Sequence, residues 1–487
     1  MTAGLKVAVV HYHLHPGGVT RVVQNAIKSL TGQDVRFAVL SGEPVVESFG
    51  EGVAVGVVEG LGYAQSDERE AGEELLPRMD AAARQALGGA PDLWHIHNHS
   101  LGKNAALPEF VSRLAHRGDR LLLQIHDFAE DGRPGNYRFL LEHLTQRPLD
   151  ALLYPQASHV HYAVLNERDE RILRDAGARS DSLHLLPNPI ALDIPASAPE
   201  EASDESRSLH LYPTRGIRRK NLGEFLFWAA LAKPQERFAA TLAPKNPRAL
   251  PIYNDWVAFA ARCRLPVQFN VGADPSVSFV ALLQSARDIV TTSVAEGFGL
   301  AFLEPWLAGR AVVGRNLPEI TGSFQAAGVE LSKLYDRLDI PADWVGREPL
   351  RSRVAVALGK SRGAYGQPTT KHEIDRALSA MIVNDQVDFG RLDEELQQKI
   401  IERLLRAPAE RQSFNQQLSP QPVLPEIIQR NRDIVQQAFS LEAYGRKLSG
   451  LYQATVSSPV SETAPLAEGR LLEGFLSPER FFLLRTA

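Results

Sequence analysis

The sequence has one cysteine, Cys263, in 487 residues, and it lacks any long uninterrupted apolar segment. A single thiol cannot form an intrachain disulfide or a thiolate metal site. No apolar run reaches the roughly 18 residues that a membrane-spanning helix requires. The N-terminal MTAGLKVAVV enters a strand-like run without the basic and apolar regions of a secretion signal. We therefore expect a cytoplasmic protein without an integral membrane segment.

An excess of positive charge is also absent. Lys and Arg number 53 against 58 Asp and Glu, which gives a formal net charge of -5. This balance gives no general electrostatic reason to bind nucleic acid. Hydrophobic residues make up 44% and charged residues 23% of the chain, an ordinary globular mixture that excludes disordered and fibrous classes. At about 100 to 200 residues per domain, the length predicts two or three domains.

Short apolar runs that end in polar residues alternate with helix-like segments along two stretches of the chain. The first stretch opens with a strand at Leu5–Val10, a Pro-Gly-Gly turn and the helical apolar spacing of VTRVVQNAIKSL. The pattern restarts at LHLYPTR and continues through ARDIVTTS to AVVGR. Such alternation is typical of parallel sheets covered on both faces. The fold class we expect is α/β, with two doubly wound Rossmann-type domains that face a central cleft and closing C-terminal helices.

Composition suggests where the domains end. The acidic, proline-bearing segment 196–208 cannot bury enough apolar surface to order itself, so we predict a linker there. It separates an N-terminal domain, residues 1–195, from a C-terminal domain, residues 209–430. The remaining predicted segments are an irregular insertion at 331–430 with the amphipathic DFGRLDEELQQKIIERLL, closing helices at 431–456 and a tail at 457–487.

Candidate binding residues follow predicted strands in both domains. Gly17 and Gly18 lie between the first strand and the first helix, where glycine lets a ligand approach the backbone and helix amides can face an anion. The alternative is a plain tight turn. In the C-terminal domain, three arginines and one lysine lie between Arg215 and Lys220. Such side chains bind phosphate oxygens, and the alternative is an ordinary solvated surface.

A third segment, VAEGFGLAFLEPWLAGR, carries Glu296 and Glu304 with Gly297 and Gly299 between them. We expect an apolar helix to start near Leu300, so that its amide groups face a phosphate while Glu296 reaches a sugar. Glu304, about one turn into that helix, could accept two vicinal hydroxyl groups. The alternative is a helix whose dipole favours acids in its first turn, which accounts for Glu304 but not for the glycines.

Taken in order, these segments resemble glycosyltransferase family 4, the retaining GT-B enzymes. The resemblance is carried by HPGGVTRVV, LQIHDF, LLPNPI, the Arg215-to-Lys220 spacing and EGFGLAFLEPWLAGRAVVG, and it returns at LEAYGRKLSGLYQ. It implies a retaining glycosyltransferase that moves a hexose from a nucleotide diphosphate sugar to an acceptor hydroxyl. Membrane association is common in that family, but this chain has no basic amphipathic stretch, so we expect a polar, soluble acceptor. Thr214, where a glycine commonly precedes the arginine, and the unlike segment 331–430 depart from the family pattern.

The resemblance also implies roles for individual positions. The catalytic set is Glu296, His126, Arg215 and Lys220. The donor-binding set is Gly17, Gly18, Arg215, Lys220, Gly297, Phe298, Gly299, Leu300 and Glu304. In the family pattern the paired glycines approach the donor diphosphate, the histidine, which Asp127 follows, lies beside the transferred sugar, and the arginine and lysine neutralise the leaving diphosphate. The first glutamate faces the donor sugar and the second the nucleotide ribose.

The transfer is expected to need neither a metal nor a cofactor. Charge growing on the leaving phosphate must be stabilised by a metal or by fixed cations and helix dipoles, and the chain has no Asp-x-Asp sequence. One alternative is a metal-dependent hydrolase, because HYHLH and HIHNH place six of the fourteen histidines after predicted strands, and His-x-His pairs can chelate a metal. The other is a non-catalytic sugar-nucleotide-binding protein of the same fold.

Polar residues after strands of the N-terminal domain are candidates for acceptor binding. They are His97, Asn98, Lys103, Arg133 and Asn136. Their mixture of amide and cationic groups suits a polar or anionic small molecule.

Overall fold

The computed structural model describes residues 4–64, 72–145, 148–190, 192, 208–418 and 422–485. It divides the chain into two units, each assembled from two parts of the sequence. Unit 1 comprises Met1–Ala191 and Phe439–Ser477, and unit 2 comprises Leu192–Ala438 and Pro478–Ala487. The predicted linker at 196–208 lies outside the described residues, apart from Ser208. In the described part of the chain, no helix has both the length and the apolar character needed to cross a membrane.

Unit 1 is built on a seven-stranded parallel sheet with the strand order β3-β2-β1-β4-β5-β6-β7. Its strands are β1 (Leu5–His11), β2 (Val35–Ser41), β3 (Ala54–Val57), β4 (Leu93–His97), β5 (Leu121–Ile125), β6 (Val160–Val164) and β7 (Leu183–Leu185). Its first helices are α1 (Gly18–Ser29), α2 (Gly72–Leu87), α3 (Ala106–Arg117), α4 (Pro134–His143), α5 (Leu149–Leu153) and α6 (Glu167–Asp175). Every residue of β4, β5 and β6 is buried, which is typical of strands covered on both faces and favours the apolar side chains at most of their positions.

Unit 2 repeats this plan with a six-stranded parallel sheet of order β10-β9-β8-β11-β12-β13. Its strands are β8 (Leu209–Arg215), β9 (Arg237–Leu242), β10 (Val267–Phe269), β11 (Asp288–Thr291), β12 (Ala311–Arg315) and β13 (Leu334–Tyr335). The helices between them are α7 (Leu222–Ala230), α8 (Leu250–Arg262), α9 (Phe279–Ser285), α10 (Glu304–Leu307) and α11 (Pro318–Ala326). Two doubly wound α/β units are thus confirmed.

The segment 331–430 is more regular than its sequence indicates. After β13 it forms a small antiparallel sheet, β14-β16-β15, and four helices. These elements are β14 (Asp339–Pro341), α12 (Arg347–Gly363), α13 (Lys371–Met381), β15 (Ile382–Val383), β16 (Gln386–Asp388), α14 (Glu394–Arg406) and α15 (Pro408–Leu418). The amphipathic helix predicted in DFGRLDEELQQKIIERLL is confirmed as α14, which packs against α7.

The C-terminal helices differ in position from the expected 431–456 segment. They are α16 (Pro425–Ala438), α17 (Leu441–Ser457) and α18 (Arg470–Phe475). Helix α16 packs against α10 in unit 2, whereas α17 packs against α1 in unit 1 and adds Tyr444, Leu448 and Tyr452 to its core. A proline in the first turn starts α16 earlier than expected, and the segment 457–487 contains α18 rather than only an irregular tail.

Candidate functional site

The strand order of unit 2 reverses between β8 and β11, and the loops after these two strands carry the predicted donor residues. In open parallel sheets, ligands bind outside the carboxyl ends of the strands at such a reversal. Arg215 ends β8, Lys220 ends the 3-10 turn Arg218–Lys220, and Glu296 lies in the loop after β11. The structure therefore brings these three residues to the edge where a ligand is expected.

Lys220 and Glu296 form an ion pair between Nζ and Oε1. Their side chains are only 16% and 8% exposed, so water screens this pair less than a surface pair. Arg215, at the end of β8, is exposed. Arg218 instead donates to both carboxylate oxygens of Glu394 in α14, at 2.6 and 2.8 Å. The basic cluster predicted from the sequence is thus divided, because Arg218 serves the packing of α14 against this loop.

The glycines of the loop after β11 have different roles. Gly299 has a φ of +94°, and an added Cβ would lie 2.8 Å from Ile320, so the fold itself requires glycine there. A Cβ on Gly297 would meet nothing within 4 Å. Packing therefore does not require glycine at position 297. Phe298 packs edge-to-face on Phe324 and is buried.

The helix expected from near Leu300 is interrupted, and that expectation is corrected. A 3-10 turn at Leu300–Phe302 is followed by the short helix α10, which begins at Glu304. Pro305 explains the break, since its ring removes an amide donor and would clash with the carbonyl of residue 301 in a continuous helix. Glu304 is therefore the first residue of α10 and does not lie a turn inside a longer helix. Leu300 is 39% exposed.

The equivalent edge of unit 1 carries the paired glycines. Strand order reverses there between β1 and β4, and Gly17 is the N-cap residue of α1, which begins at Gly18. Both glycines are exposed, and a Cβ on Gly18 would meet nothing within 4 Å. The packing of unit 1 does not require glycine at this position, which leaves the backbone accessible to a ligand.

His126 is held by the loop after β4. Its Nε2 lies 2.9 Å from Nδ1 of His97, and the two rings stack with their planes 6° apart. The backbone amides of His126 and Asp127 both donate to Oδ1 of Asn98, at 2.7 and 3.1 Å. Burial, followed by the nearby His11 and other histidines, lowers the pKa of His126 to about 3. The ring is therefore neutral near pH 7 and offers one donor and one acceptor.

Most of the predicted acceptor residues have contacts inside unit 1. His97 and Asn98 are buried and support the His126 loop. Arg133 forms an ion pair with Asp127 at 2.5 Å. Asn136 donates to the carbonyl of Leu101 at 2.8 Å.

Lys103 differs from these residues because its ammonium lies 5.5 Å above the ring of Tyr63. That arrangement keeps a cation at an aromatic face without a carboxylate partner in the described contacts.

The two histidine clusters are likewise hydrogen-bonded within the unit. His95 contacts the Tyr452 hydroxyl and the Gln124 side chain, and Nε2 of His99 lies 2.6 Å from the carbonyl of Leu153. Burial lowers the pKa of His95 and of His99 to about 4. Among the residues that the structure describes, no three His, Cys, Asp or Glu side chains are grouped as a metal site.

Two residues not singled out in the sequence fix the backbone of Lys220. The Tyr212 hydroxyl donates to the Lys220 carbonyl at 2.7 Å, and the Thr292 hydroxyl donates to it at 3.1 Å. Burial raises the pKa of Tyr212, which keeps it a neutral donor. The hydroxyl of a tyrosine in a buried strand needs a hydrogen-bond partner, but the sequence around Tyr212 does not identify that partner.

Unit 2 also contains a buried ionic network that sequence patterns did not reveal. Arg315 donates to Glu224 at 2.7 to 3.0 Å and to Asp388 at 2.7 and 3.0 Å. Tyr335 donates to the same glutamate at 2.8 Å. Burial opposes the charge of Arg315, but its two carboxylate partners outweigh that effect and raise its pKa. The network joins α7, β12 and β16.

Comparison with curated proteins identifies a homologue of nearly the same length. No family model matches the chain. The chain is 25% identical over 468 residues to mannosylglucosyl-3-phosphoglycerate synthase of Petrotoga mobilis, an alignment that covers 90% of this chain and 89% of that protein. This homologue is a glycosyltransferase, in agreement with the resemblance found in the sequence motifs.

Comparison with solved structures identifies the fold. A glycosyltransferase from Rickettsia africae matches with 12% identity and a TM-score of 0.54, over 94% of this chain and 100% of that chain. The catalytic domain of starch synthase IV from Arabidopsis thaliana, bound to ADP and acarbose, matches with 13% identity and a TM-score of 0.51, over 93% and 100%. HepE from Anabaena in complex with UDP-glucose matches with 13% identity and a TM-score of 0.51, over 92% and 100%. The two Rossmann-like units thus have the GT-B fold.

Proposed function

We propose that the protein is a retaining glycosyltransferase that moves a hexose from a nucleoside diphosphate sugar to a hydroxyl group of a small polar acceptor. The observation that carries this proposal is the Lys220–Glu296 pair at the strand-order reversal of unit 2. It sets a phosphate-binding cation beside a carboxylate that can accept hydrogen bonds from a sugar. Homology over 90% of the chain to a glycosyltransferase supports this substrate class.

The donor would be bound by the loops after β8 and β11. As the sugar leaves, negative charge grows on the departing diphosphate, and the exposed Arg215 and the ammonium of Lys220 stabilise it electrostatically. Glu296 accepts hydrogen bonds from the hexose, and Glu304 accepts them from the ribose. UDP-glucose in HepE and ADP in starch synthase IV support this class of donor. The assigned roles of Gly17, Gly18 and His126 belong to the same proposal.

The acceptor in this proposal is a small soluble compound. The name of the Petrotoga homologue describes a product that carries a 3-phosphoglycerate group. A phosphorylated hydroxy acid, or a glycoside of one, is both polar and anionic. That class agrees with the polar and cationic character of the candidate acceptor loops in the sequence.

Substitution of the donor pair tests the proposal. Lys220→Ala and Glu296→Ala should each lower kcat about a hundredfold, because each removes a preorganised group that stabilises the transition state. The measurement is transfer from UDP-, GDP- and ADP-hexoses to 3-phosphoglycerate and glucosyl-3-phosphoglycerate, with the anomeric configuration of the product read by NMR. Retention of configuration is expected.

Lys233→Ala provides the matched control. Lys233 is an exposed cation between α7 and β9, at the opposite edge of the same sheet, and its removal should leave kcat unchanged. Wild-type rates for both donor-pair variants would refute the assignment. Inversion of configuration would remove the retaining part of the proposal alone.

Metal independence is a separate prediction of the same site. If Arg215 and Lys220 supply the positive charge, transfer in excess EDTA should proceed at the rate measured without it. Added Mg²⁺ or Mn²⁺ should leave the transfer rate unchanged, because EDTA has not lowered it. A rate that falls with chelation and recovers with one divalent ion would instead favour a metal-assisted mechanism, and metal analysis of untagged protein would then identify the ion.

A further inference from the structure

The loop that carries Lys220 has a backbone conformation that needs support. Asn221, the next residue, has a φ of +52° and is the N-cap residue of α7. Residues other than glycine adopt this region when side-chain contacts hold them there. Because Asn221 directly follows Lys220, whatever fixes its conformation also fixes the direction of the lysine.

Helix α14 provides that support from within the segment 331–430. Nε2 of Gln397 donates to Oδ1 of Asn221 at 2.9 Å and to the carbonyl of Phe389 at 3.2 Å. Gln397 and Asn221 are 0% and 1% exposed. One turn earlier, Glu394 accepts both hydrogen bonds from Arg218. Two side chains of one helix therefore hold both ends of the turn that ends in Lys220.

The buried ionic network reaches the same asparagine. Nδ2 of Asn221 donates to Glu224 at 2.8 Å, and Glu224 is held by Arg315. Arg315 is held in turn by Asp388, which also accepts from the backbone amides of Leu338 and Gly390. The loop is thus tied to the segment 331–430 through two connected routes, although this segment departs from the family pattern in sequence.

We propose that Gln397 and Glu394 are positioning residues that hold the Lys220 loop so that its ammonium faces the leaving diphosphate. This inference rests on the proposed function. Neither side chain touches the substrate, and both act through Lys220. The segment 331–430 then contributes to catalysis by fixing a loop of the proposed donor site.

A double-mutant cycle tests the proposal. Gln397→Met keeps the side-chain length and removes both donated hydrogen bonds, and it should lower kcat about tenfold through misplacement of Lys220. It should leave the KM for the acceptor unchanged. Lys220→Ala alone should lower kcat about a hundredfold. If Gln397 acts through Lys220, the double variant should be no slower than Lys220→Ala.

A second cycle uses a more exposed position. Glu394→Gln, which weakens the pairing with Arg218 and leaves the buried core intact, should show the same lack of additivity with Lys220→Ala. The control is Glu395→Gln, since Glu395 is the next residue of α14 and pairs with Arg353 and Lys399 instead. It should leave kcat unchanged.

The outcomes separate the two proposals. The positioning role would be overturned if kcat of both double variants fell by the product of the two single effects. It would also be overturned if neither Gln397→Met nor Glu394→Gln changed kcat. In both cases the glycosyltransferase assignment would stand. A wild-type protein that transfers no hexose from any nucleoside diphosphate sugar would overturn both. Melting temperatures of all variants show whether the rates were measured on folded protein.

Discussion

At the residue scale, the same residue type has different functions according to its surroundings. Lys220 pairs with Glu296 at the sheet edge where a ligand is expected, whereas Arg218, two residues earlier, pairs with Glu394. The sequence pattern predicts a cluster of cations but not this division, because the partner of Arg218 lies 176 residues away. The histidines of HIHNH are similar, since His95 contacts Tyr452 of α17 and His99 contacts Leu153 of α5.

Glu130 gives a residue-scale prediction about stability. Burial, with neighbouring Asp150 and Asp131, raises its pKa to about 8, although the Tyr154 hydroxyl donates to both oxygens at 3.1 Å. The unfolded chain loses this proton near pH 4.5, so the folded state binds the extra proton between pH 4.5 and 8. Glu130 therefore lowers the free energy of unfolding progressively as the pH rises through that window.

Replacement of this carboxyl group by a neutral amide should remove the effect. Glu130→Gln should unfold at higher denaturant than wild type at pH 7.5, and its advantage should shrink by about 2 to 3 kcal/mol at pH 5.5. Denaturant titrations of both proteins at the two pH values give the difference in their free energies of unfolding. The other titrating groups cancel in this difference because both proteins contain them. An advantage that is equal at both pH values would mean that the carboxyl is ionised in the folded protein.

At the element scale, the sequence predicts what local chemistry determines. Strand β5, LLLQI, is recognisable because burial on both faces favours apolar side chains, whereas buried histidines interrupt the apolar runs of β4 and β6. Helix α14 is recognisable because Leu396, Ile400 and Leu404 are buried on one face. The helix after Gly299 was expected to be continuous, and Pro305 interrupts it. Pro305 is present in the sequence, but the apolar spacing of the residues around it favours a continuous helix.

The supporting contacts of the candidate site could not be predicted in this way. Arg315 lies 91 residues from Glu224 and 73 from Asp388, and no periodicity connects such positions. The position of the candidate donor residues after strands was predictable, because they occur in recognisable short motifs next to apolar strand-like runs. What holds those residues in place depends on tertiary contacts with the segment 331–430, whose sequence departs from the family pattern.

At the scale of the whole molecule, each unit is completed by a distant part of the chain. Unit 1 takes α17 and α18 from the C-terminal region, and unit 2 takes the last residues, Pro478–Ala487. Phe481 and Leu483 belong to the main core of unit 2, and Glu479 pairs with Arg376 of α13 through two hydrogen bonds. The end of the segment expected to be a tail is thus part of a folded core.

Deletion of residues 478–487 should therefore destabilise unit 2. Burial of each large apolar side chain is worth about 1.5 to 3 kcal/mol, so the loss of Phe481, Leu483 and Leu484 should lower its free energy of unfolding by about 5 kcal/mol. Four of the five tryptophans lie in unit 2, so fluorescence-monitored unfolding in urea reports mainly on that unit. Leu483→Ala should shift the midpoint in the same direction by a smaller amount. An unchanged fluorescence midpoint after deletion would show that these residues contribute nothing to the core.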